Sequence, residues 1–111
     1  MRKVVNLLVR KNGMTHAEFE SYWLEEHAPM AESLPGVRQY STSIPSDPEK
    51  ATYDGIAELY LEPETSVGDV FGSAAGERIQ EDTANFLDNE ASDLLVVEET
   101  VQFTEGTANS D

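Results

Sequence analysis

The order of its apolar segments constrains the fold of this chain more than any other feature of the sequence. Short runs of aliphatic and β-branched residues are typical of strands. Such runs occupy residues 4–10, 37–44, 55–61 and 94–97, the last continuing towards Phe103. Because these runs are too short for buried helices, we expect four strands.

Two regions with helical spacing separate the strands. The first begins at Thr15, where Glu18 completes a capping box, and it ends at Pro35-Gly36. The second is predicted from Glu64 to Phe71, and three glycines interrupt it before a further segment ends near 86–87. These positions predict one continuous and one broken helical region.

The resulting order, β-α-β-β-α-β, indicates an α+β fold of the ferredoxin-like type. Both helical regions would then lie on one face of a four-stranded antiparallel sheet. With 111 residues the chain has room for one core. We expect a single domain over residues 1–103 and a polar tail over residues 104–111.

The first helical region contains an expected irregularity at Pro29. Proline cannot donate to the carbonyl of Glu25 and crowds it, so we expect a kink or break near Ala28. One apolar face runs along the region: Phe19, Tyr22, Trp23, His27, Met30, Ala31 and Leu34.

Alternation along the strands assigns their two faces. We expect the helices to pack on Val5, Leu7, Val9, Leu59, Leu61, Leu95, Val97 and Val101. The opposite face would carry Val4, Asn6, Leu8, Ile56, Glu58, Tyr60, Leu94 and Val96. Since that face is too apolar to remain in water and no third helix is available, we expect a second copy to cover it in a homodimer.

The net charge is −15, from 22 acidic residues and seven Lys and Arg. Such a surface repels nucleic acid and anionic lipid, so we expect neither nucleic acid nor membrane as a partner. Salt relieves self-repulsion because the screening length falls from ~10 Å at 0.1 M to ~3 Å at 1 M. The charge therefore favours a halophilic cytoplasm, with an acidic protein of a low-salt organism as the alternative.

Further features of the sequence limit the expected cellular location and the possible chemistry. Cysteine is absent, which excludes disulfides and thiol nucleophiles. Neither a signal-peptide pattern nor a run of ~20 apolar residues is present, so we expect a cytoplasmic protein. No histidine pair has ligand spacing and no glycine-rich phosphate loop follows a strand, so we expect neither metal nor cofactor.

The segment around Pro29 also carries a specific string of residues. Tyr22-Trp23, His27-Ala28-Pro29, Leu34-Pro35-Gly36 and Tyr40 follow one another in this order. With the segments 82–88 and 96–99, the string resembles the EthD family of dimeric α+β barrel proteins. The resemblance extends over roughly the whole predicted domain.

The resemblance implies a homodimeric barrel with a cavity between helices and sheet in each subunit. Family members accompany ether-degrading oxygenase systems, and relatives on this fold include cofactor-free isomerases, cyclases, dehydratases and quinone-forming monooxygenases. Methylmuconolactone isomerases look similar, with a His and a Tyr on the elements that hold His27 and Tyr40. They also use a cysteine, which this chain lacks.

His27 is the leading catalytic candidate, because it shares the inward face of Trp23 and can exchange a proton near neutral pH. A carbonyl left unsatisfied at Pro29 could orient one of its ring nitrogens. The alternative is a core histidine that is hydrogen-bonded to backbone and fills the space where the helix kinks. Tyr40 is the second catalytic candidate, as a donor to a substrate oxygen, or else a partly buried tyrosine that reaches water.

Four further residues are candidates for ligand binding. Tyr22 and Trp23 could wall a cavity for an aromatic ligand, or could be ordinary core residues. Glu58 and Tyr60 would face the dimer interior, where a carboxylate could act as a base. Alternatively, Glu58 would pair with Arg10 or reach solvent.

Two functions remain open at this point. The first is a cofactor-free isomerase, cyclase or dehydratase of a small apolar, cyclic or aromatic metabolite, with His27 moving the proton. The second is a non-catalytic ligand-binding or accessory module of an oxygenase system. A third, plainer possibility is a dimeric structural domain with a filled core.

Overall fold

The structure, a computed structural model, describes residues 1–106 and contains one four-stranded sheet. The strands are β1 (Arg2–Leu8), β2 (Val37–Ser43), β3 (Gly55–Leu61) and β4 (Asp93–Glu98). Their order across the sheet is β2-β3-β1-β4, and all neighbours are antiparallel. The predicted ferredoxin-like fold is confirmed.

Helical segments fill the two connections that cross the sheet. The regular helices are α1 (His16–Tyr22), α2 (Val67–Phe71) and α3 (Ala74–Asp82). A π-helical turn (Trp23–His27) and two 3-10 turns (Ala28–Ser33 and Thr83–Asn85) complete them. A further 3-10 turn, Pro48–Lys50, lies in the loop between β2 and β3.

The first connection starts where the capping box predicts. The Thr15 hydroxyl accepts from the Glu18 backbone N–H at 3.0 Å, and the Glu18 carboxylate accepts from the Thr15 N–H at 2.9 Å. Past Tyr22 the helix widens, and the Ala28 N–H donates to the Trp23 carbonyl five residues back. At Ala28 the chain tightens into a 3-10 helix, so the predicted irregularity before Pro29 is confirmed.

The second connection starts later than predicted. Glu64 has a left-handed backbone, with φ of 71°, and lies outside the helix. The first helical residue is Val67, because the Ser66 hydroxyl caps the helix by accepting from the Asp69 N–H at 3.0 Å. The predicted interruption is present between Phe71 and Ala74.

The face assigned to β1 is wrong by one residue. Val4 pairs with Leu59 in β3 and Val96 in β4, and it is fully buried under the helices together with Leu8. Val5 and Leu7 lie on the opposite face. Because neighbours across a sheet share a face, Asn6 and Leu94 lie on the helical side, not the outer one.

Strand β4 is also assigned to the wrong faces and is shorter than predicted. Val96 lies on the helical side with Val4, and Leu95 lies outward with Val5. The strand ends at Glu98, so it does not continue to Phe103, which is 86% exposed. Of the predicted tail, residues 107–111 lie outside the described part of the chain.

The buried core falls into two clusters. One contains Val4, Ala31, Leu34, Leu59, Leu61, Val70 and Ile79. The other contains Leu8, Phe19, Trp23, Ala57, Phe86 and Leu87. Residues of both clusters line one cavity between the helices and the sheet, so the core is divided rather than continuous.

Candidate functional site

The cavity has a volume of about 510 Å³ and predominantly apolar walls. These walls are formed by Leu8, Trp23, Leu34, Ala57, Leu59, Phe71, Ile79, Phe86, Leu87 and Leu94. A volume of this size falls in the range of small-molecule sites. The plainer prediction of a filled core with no cavity is therefore wrong.

His27 lies in the wall of the cavity, at the end of the π-helical turn. The residue is buried, with 7% of its surface exposed. Its Nδ1 lies 2.7 Å from Oδ2 of Asp82, at the end of α3. The partner of the ring is thus a carboxylate and not a backbone carbonyl, which contradicts the plain core alternative.

Asp82 is held in place by two further side chains. The Tyr22 hydroxyl donates to Oδ1 at 2.7 Å, and the Asn85 amide donates to the same oxygen at 3.0 Å. Asn85 also donates to the Tyr22 oxygen at 3.1 Å. The carboxylate therefore has a fixed orientation towards the histidine ring.

Burial and hydrogen bonding set the charges of this pair. Burial lowers the pKa of His27, and the hydrogen bond and charge of Asp82 only partly oppose this effect. Burial raises the pKa of Asp82, but the hydrogen bonds from Tyr22, His27 and Asn85 outweigh it, and the net pKa is lowered. At neutral pH the favoured state is a neutral imidazole beside a carboxylate.

That state fixes the tautomer of His27. Since a carboxylate only accepts, Nδ1 carries the proton and Nε2 is left as an acceptor. His27 is among the residues that line the cavity, and Asp82 is not. Within residues 1–106 no group hydrogen-bonds to Nε2.

Tyr40 projects from β2 into the same cavity. Its hydroxyl oxygen accepts a hydrogen bond from Nε1 of Trp23 at 3.1 Å. Burial raises the pKa of Tyr40, and the bond from Trp23 opposes this only in part. The phenol therefore stays protonated near neutral pH, and its proton is available for a ligand.

Trp23 packs against the sheet because β3 begins with a glycine. A Cβ atom added to Gly55 would collide with the six-membered part of the Trp23 ring. The indole is fully buried and packs against the Phe19 ring, with 5.6 Å between centroids and a tilt of 45° between the planes. This contact fixes the ring that in turn positions the Tyr40 hydroxyl.

Asn6 is a polar cavity residue that the sequence interpretation placed on the wrong face. It lies on β1 among apolar lining residues, and no hydrogen bond of its carboxamide occurs within the described chain. Other polar lining residues are Gln80, Thr83, Asn89, Ser92 and Asp93. Among the lining residues of the described chain there is neither a lysine nor an arginine.

The remaining predicted binding residues lie elsewhere. Tyr22 contacts Asp82 and lines a surface groove rather than the cavity. Glu58 and Tyr60 lie on the outer sheet face. There Nζ of Lys3 is 2.8 Å from Oε2 of Glu58 and 3.4 Å from the Tyr60 hydroxyl. The partner of Glu58 is therefore Lys3 and not Arg10.

Over residues 1–106, no three His, Asp or Glu side chains are grouped in a way that could hold a metal ion. Among the helices of that part of the chain, none is long and apolar enough to cross a membrane.

Comparison with known proteins identifies the family of this chain. The EthD domain profile matches residues 11–90. The chain belongs to the EthD family. An uncharacterised 11.0 kDa protein of the thcB-thcC intergenic region of Rhodococcus erythropolis is 29% identical over 89 residues, covering 77% of this chain and 84% of that protein.

Two solved structures share the EthD-type fold. An ethyl tert-butyl ether degradation (EthD) family protein from Bacillus halodurans superposes with a TM-score of 0.76 at 20% identity, covering 90% of this chain and 99% of that one. A dimeric ferredoxin-like protein of unknown function from Thermobifida fusca gives 0.65 at 12% identity, covering 90% of each chain. At these identities the likeness concerns the fold.

Proposed function

We propose that this EthD-family protein binds a small apolar metabolite, cyclic or aromatic, in the cavity between helices and sheet, and transfers a proton within it. One observation carries the proposal. The Nδ1 of His27 is bound to Asp82 at 2.7 Å, which leaves Nε2 as a base in an apolar, ligand-sized space. No cofactor enters this chemistry.

The proposed proton transfer uses the two catalytic candidates in different roles. Nε2 of His27 removes a proton from the ligand, and Asp82 stabilises the imidazolium that forms. The Tyr40 hydroxyl donates to the ligand oxygen on which negative charge develops. Return of the proton to another carbon of the ligand completes an isomerisation. In a cyclisation the proton goes to the oxygen of the carbonyl that the ligand's own carbanion attacks, and in a dehydration it goes to the departing hydroxyl group, which leaves as water.

The test begins with a thermal-shift screen of uncharged cyclic ketones, lactones and phenols in molar KCl. Binders are then incubated with the protein and followed by NMR. His27→Asn is the informative variant, because its amide can still donate to Asp82 but has no basic nitrogen. We expect it to keep binding and lose conversion; conversion at the wild-type rate would refute the role of His27.

A second candidate is ligand binding without turnover, in an accessory role to an oxygenase system. The absence of cysteine supports it, because the similar methylmuconolactone isomerases use a cysteine together with their His and Tyr. Binding in the same screen with no chemical change in any binder would select this function.

We further propose that a second copy covers the outer sheet face, defined by Lys3, Val5, Leu7, Ile56, Glu58, Tyr60, Leu95 and Val97. Ile56 is 37% and Leu95 46% exposed there, more than a monomer usually leaves open on one sheet. The related Thermobifida fusca protein is named as dimeric. Light scattering should give a dimer for the wild type and a monomer for Ile56→Lys.

A further inference from the structure

We propose that the cavity selects an uncharged ligand that carries a hydroxyl group, and that it rejects carboxylates and phosphates. The hydroxyl donates to Nε2 of His27, and the same oxygen or a second oxygen of the ligand accepts from the Tyr40 hydroxyl. This inference rests on the proposed binding function and specifies its ligand.

The charges around the cavity carry the first half of the inference. The lining residues of the described chain include no lysine or arginine, and the charged residue that they do include is Asp93. Placing an ionised group in apolar surroundings without an opposite charge is strongly unfavourable. An anionic ligand would therefore lose its hydration without gaining a cation.

His27 does not supply the missing positive charge. An imidazolium at this position is already neutralised by Asp82, at 2.7 Å from its Nδ1. A carboxylate bound at Nε2 would put a second negative charge on the other side of the ring. The net charge of −15 on the chain adds a further repulsion.

The hydrogen-bonding capacity of the walls carries the second half. Nε2 of His27 is an acceptor, because Nδ1 holds the proton. The Tyr40 oxygen accepts from Trp23, and its hydroxyl proton can donate to a ligand. Asn6 can do both. A ligand that satisfies these groups needs at least one donor and one acceptor, both uncharged.

Three probes of nearly equal size separate these requirements: β-naphthol, its methyl ether and β-naphthoate. Each is titrated calorimetrically into the full-length wild type above neutral pH in molar KCl. We expect β-naphthol to bind about 10-fold more tightly than the ether, which has no donor. We expect β-naphthoate to bind at least about 100-fold more weakly than β-naphthol.

Substitutions test which residues cause the preference for β-naphthol. Tyr40→Phe should weaken β-naphthol by about fivefold, whereas Tyr60→Phe, on the outer sheet face, should leave the affinity unchanged. His27→Asn should remove the preference for β-naphthol over the ether.

Each contrary result has a distinct meaning. Naphthoate binding as tightly as naphthol overturns the exclusion of anions while cavity binding stands. Equal affinities for naphthol and the ether overturn the hydroxyl requirement. No binding of any probe overturns this inference, and a blank in the thermal-shift screen as well overturns the proposed binding function.

Discussion

Nδ1 of His27 lies 2.7 Å from a carboxylate oxygen of Asp82, although 55 residues separate the two along the chain. The π-helical turn supplies the histidine and the end of α3 supplies the aspartate. The two helical connections must therefore pack correctly against each other before the pair exists. The pair is a property of tertiary structure, and it responds to mutation, pH and packing in ways that can be measured.

Replacing Asp82 by Asn should lower the pKa of His27 further. Burial already lowers that pKa, and the hydrogen bond to the Asp82 carboxylate, followed by its charge, opposes this effect. The measurement is an NMR titration of the His27 ring. Glu81→Gln, which removes an exposed carboxylate from the preceding position of α3, is the matched control and should leave the titration unchanged.

A D82N titration that matches the wild type would show that the carboxylate does not affect the ring. In that case the tautomer of His27 would need another explanation. Long-range ¹H–¹⁵N spectra report the tautomer directly, and we expect the proton on Nδ1 in the wild type.

The stability of the fold should fall as pH decreases through two windows. The pKa of His27 is lowered from its ordinary value of 6.5, and that of Asp82 from 3.8. For both groups the unfolded chain then binds more protons than the folded one, so stability rises with pH. The His27 contribution is fully present above pH 6.5 and is lost on acidification.

Urea unfolding across this pH range tests whether stability falls on acidification. His27→Asn should abolish the loss of stability in the upper pH window and leave the loss in the lower window unchanged. A wild-type midpoint that rises as the pH falls from neutral towards the His27 window would contradict the lowered pKa.

Tyr40→Phe should destabilise the protein by about 1–3 kcal/mol, because the buried indole N–H of Trp23 loses its acceptor. Tyr53→Phe is the control: its hydroxyl donates to Asp93 at an exposed position, and its loss should change stability by less than about 0.5 kcal/mol. Trp23 is the single tryptophan, so its fluorescence follows unfolding in both variants. Equal effects of the two substitutions would contradict the buried bond.

Gly55→Ala should destabilise by about 1–3 kcal/mol, because the new methyl group meets the Trp23 ring. Gly68→Ala in α2 is the matched control. A Cβ atom there approaches no atom closer than 3.9 Å, and alanine favours the helix, so stability should rise by about 0.5–1 kcal/mol. A harmless Gly55→Ala would mean that the tryptophan can move away at little cost.

Molar KCl should raise the melting temperature, because it screens the repulsion among 22 carboxylates. Recovery of about 1 kcal/mol would correspond to a rise of about 4–8 °C for a domain near this size. The triple variant Glu20→Gln, Glu26→Gln and Glu32→Gln carries less charge and should show a smaller rise. An unchanged wild-type melting temperature in molar KCl would contradict the halophilic interpretation.

Much of the fold follows from local signals in the sequence. The capping box fixes the start of α1 within one residue, and Pro29 marks where the helix changes type. The bounds of β3 are predicted correctly, because glycine and polar residues flank a clear alternation. These signals act over a few residues and need no knowledge of tertiary packing.

The faces of β1 did not follow from the sequence for a physical reason. Between Val4 and Val9 every residue except Asn6 is apolar. An alternation with a period of two residues has no defined phase in such a run. Only pairing with Leu59 and Val96 shows that Val4 is the buried one.

The site was predictable only in part. His27 and Tyr40 were found through the helical face and the family resemblance, and both line the cavity. Asp82 is one of 22 acidic residues, and no local feature distinguishes it. Asn6 could have been noticed as a lone amide in an apolar strand, but the wrong phase directed it outward.

The π-helical turn ties the site to the length of the chain between Trp23 and His27. The hydrogen bond of this turn closes over five residues instead of four, so the turn holds one residue more than an α-helical turn. Deletion of the exposed Leu24 would restore the narrower turn and rotate one ring relative to the other by about 100°. One of the two rings would then leave the cavity wall. Gain or loss of a single codon within this turn can therefore move the histidine into or out of the cavity wall without replacing it.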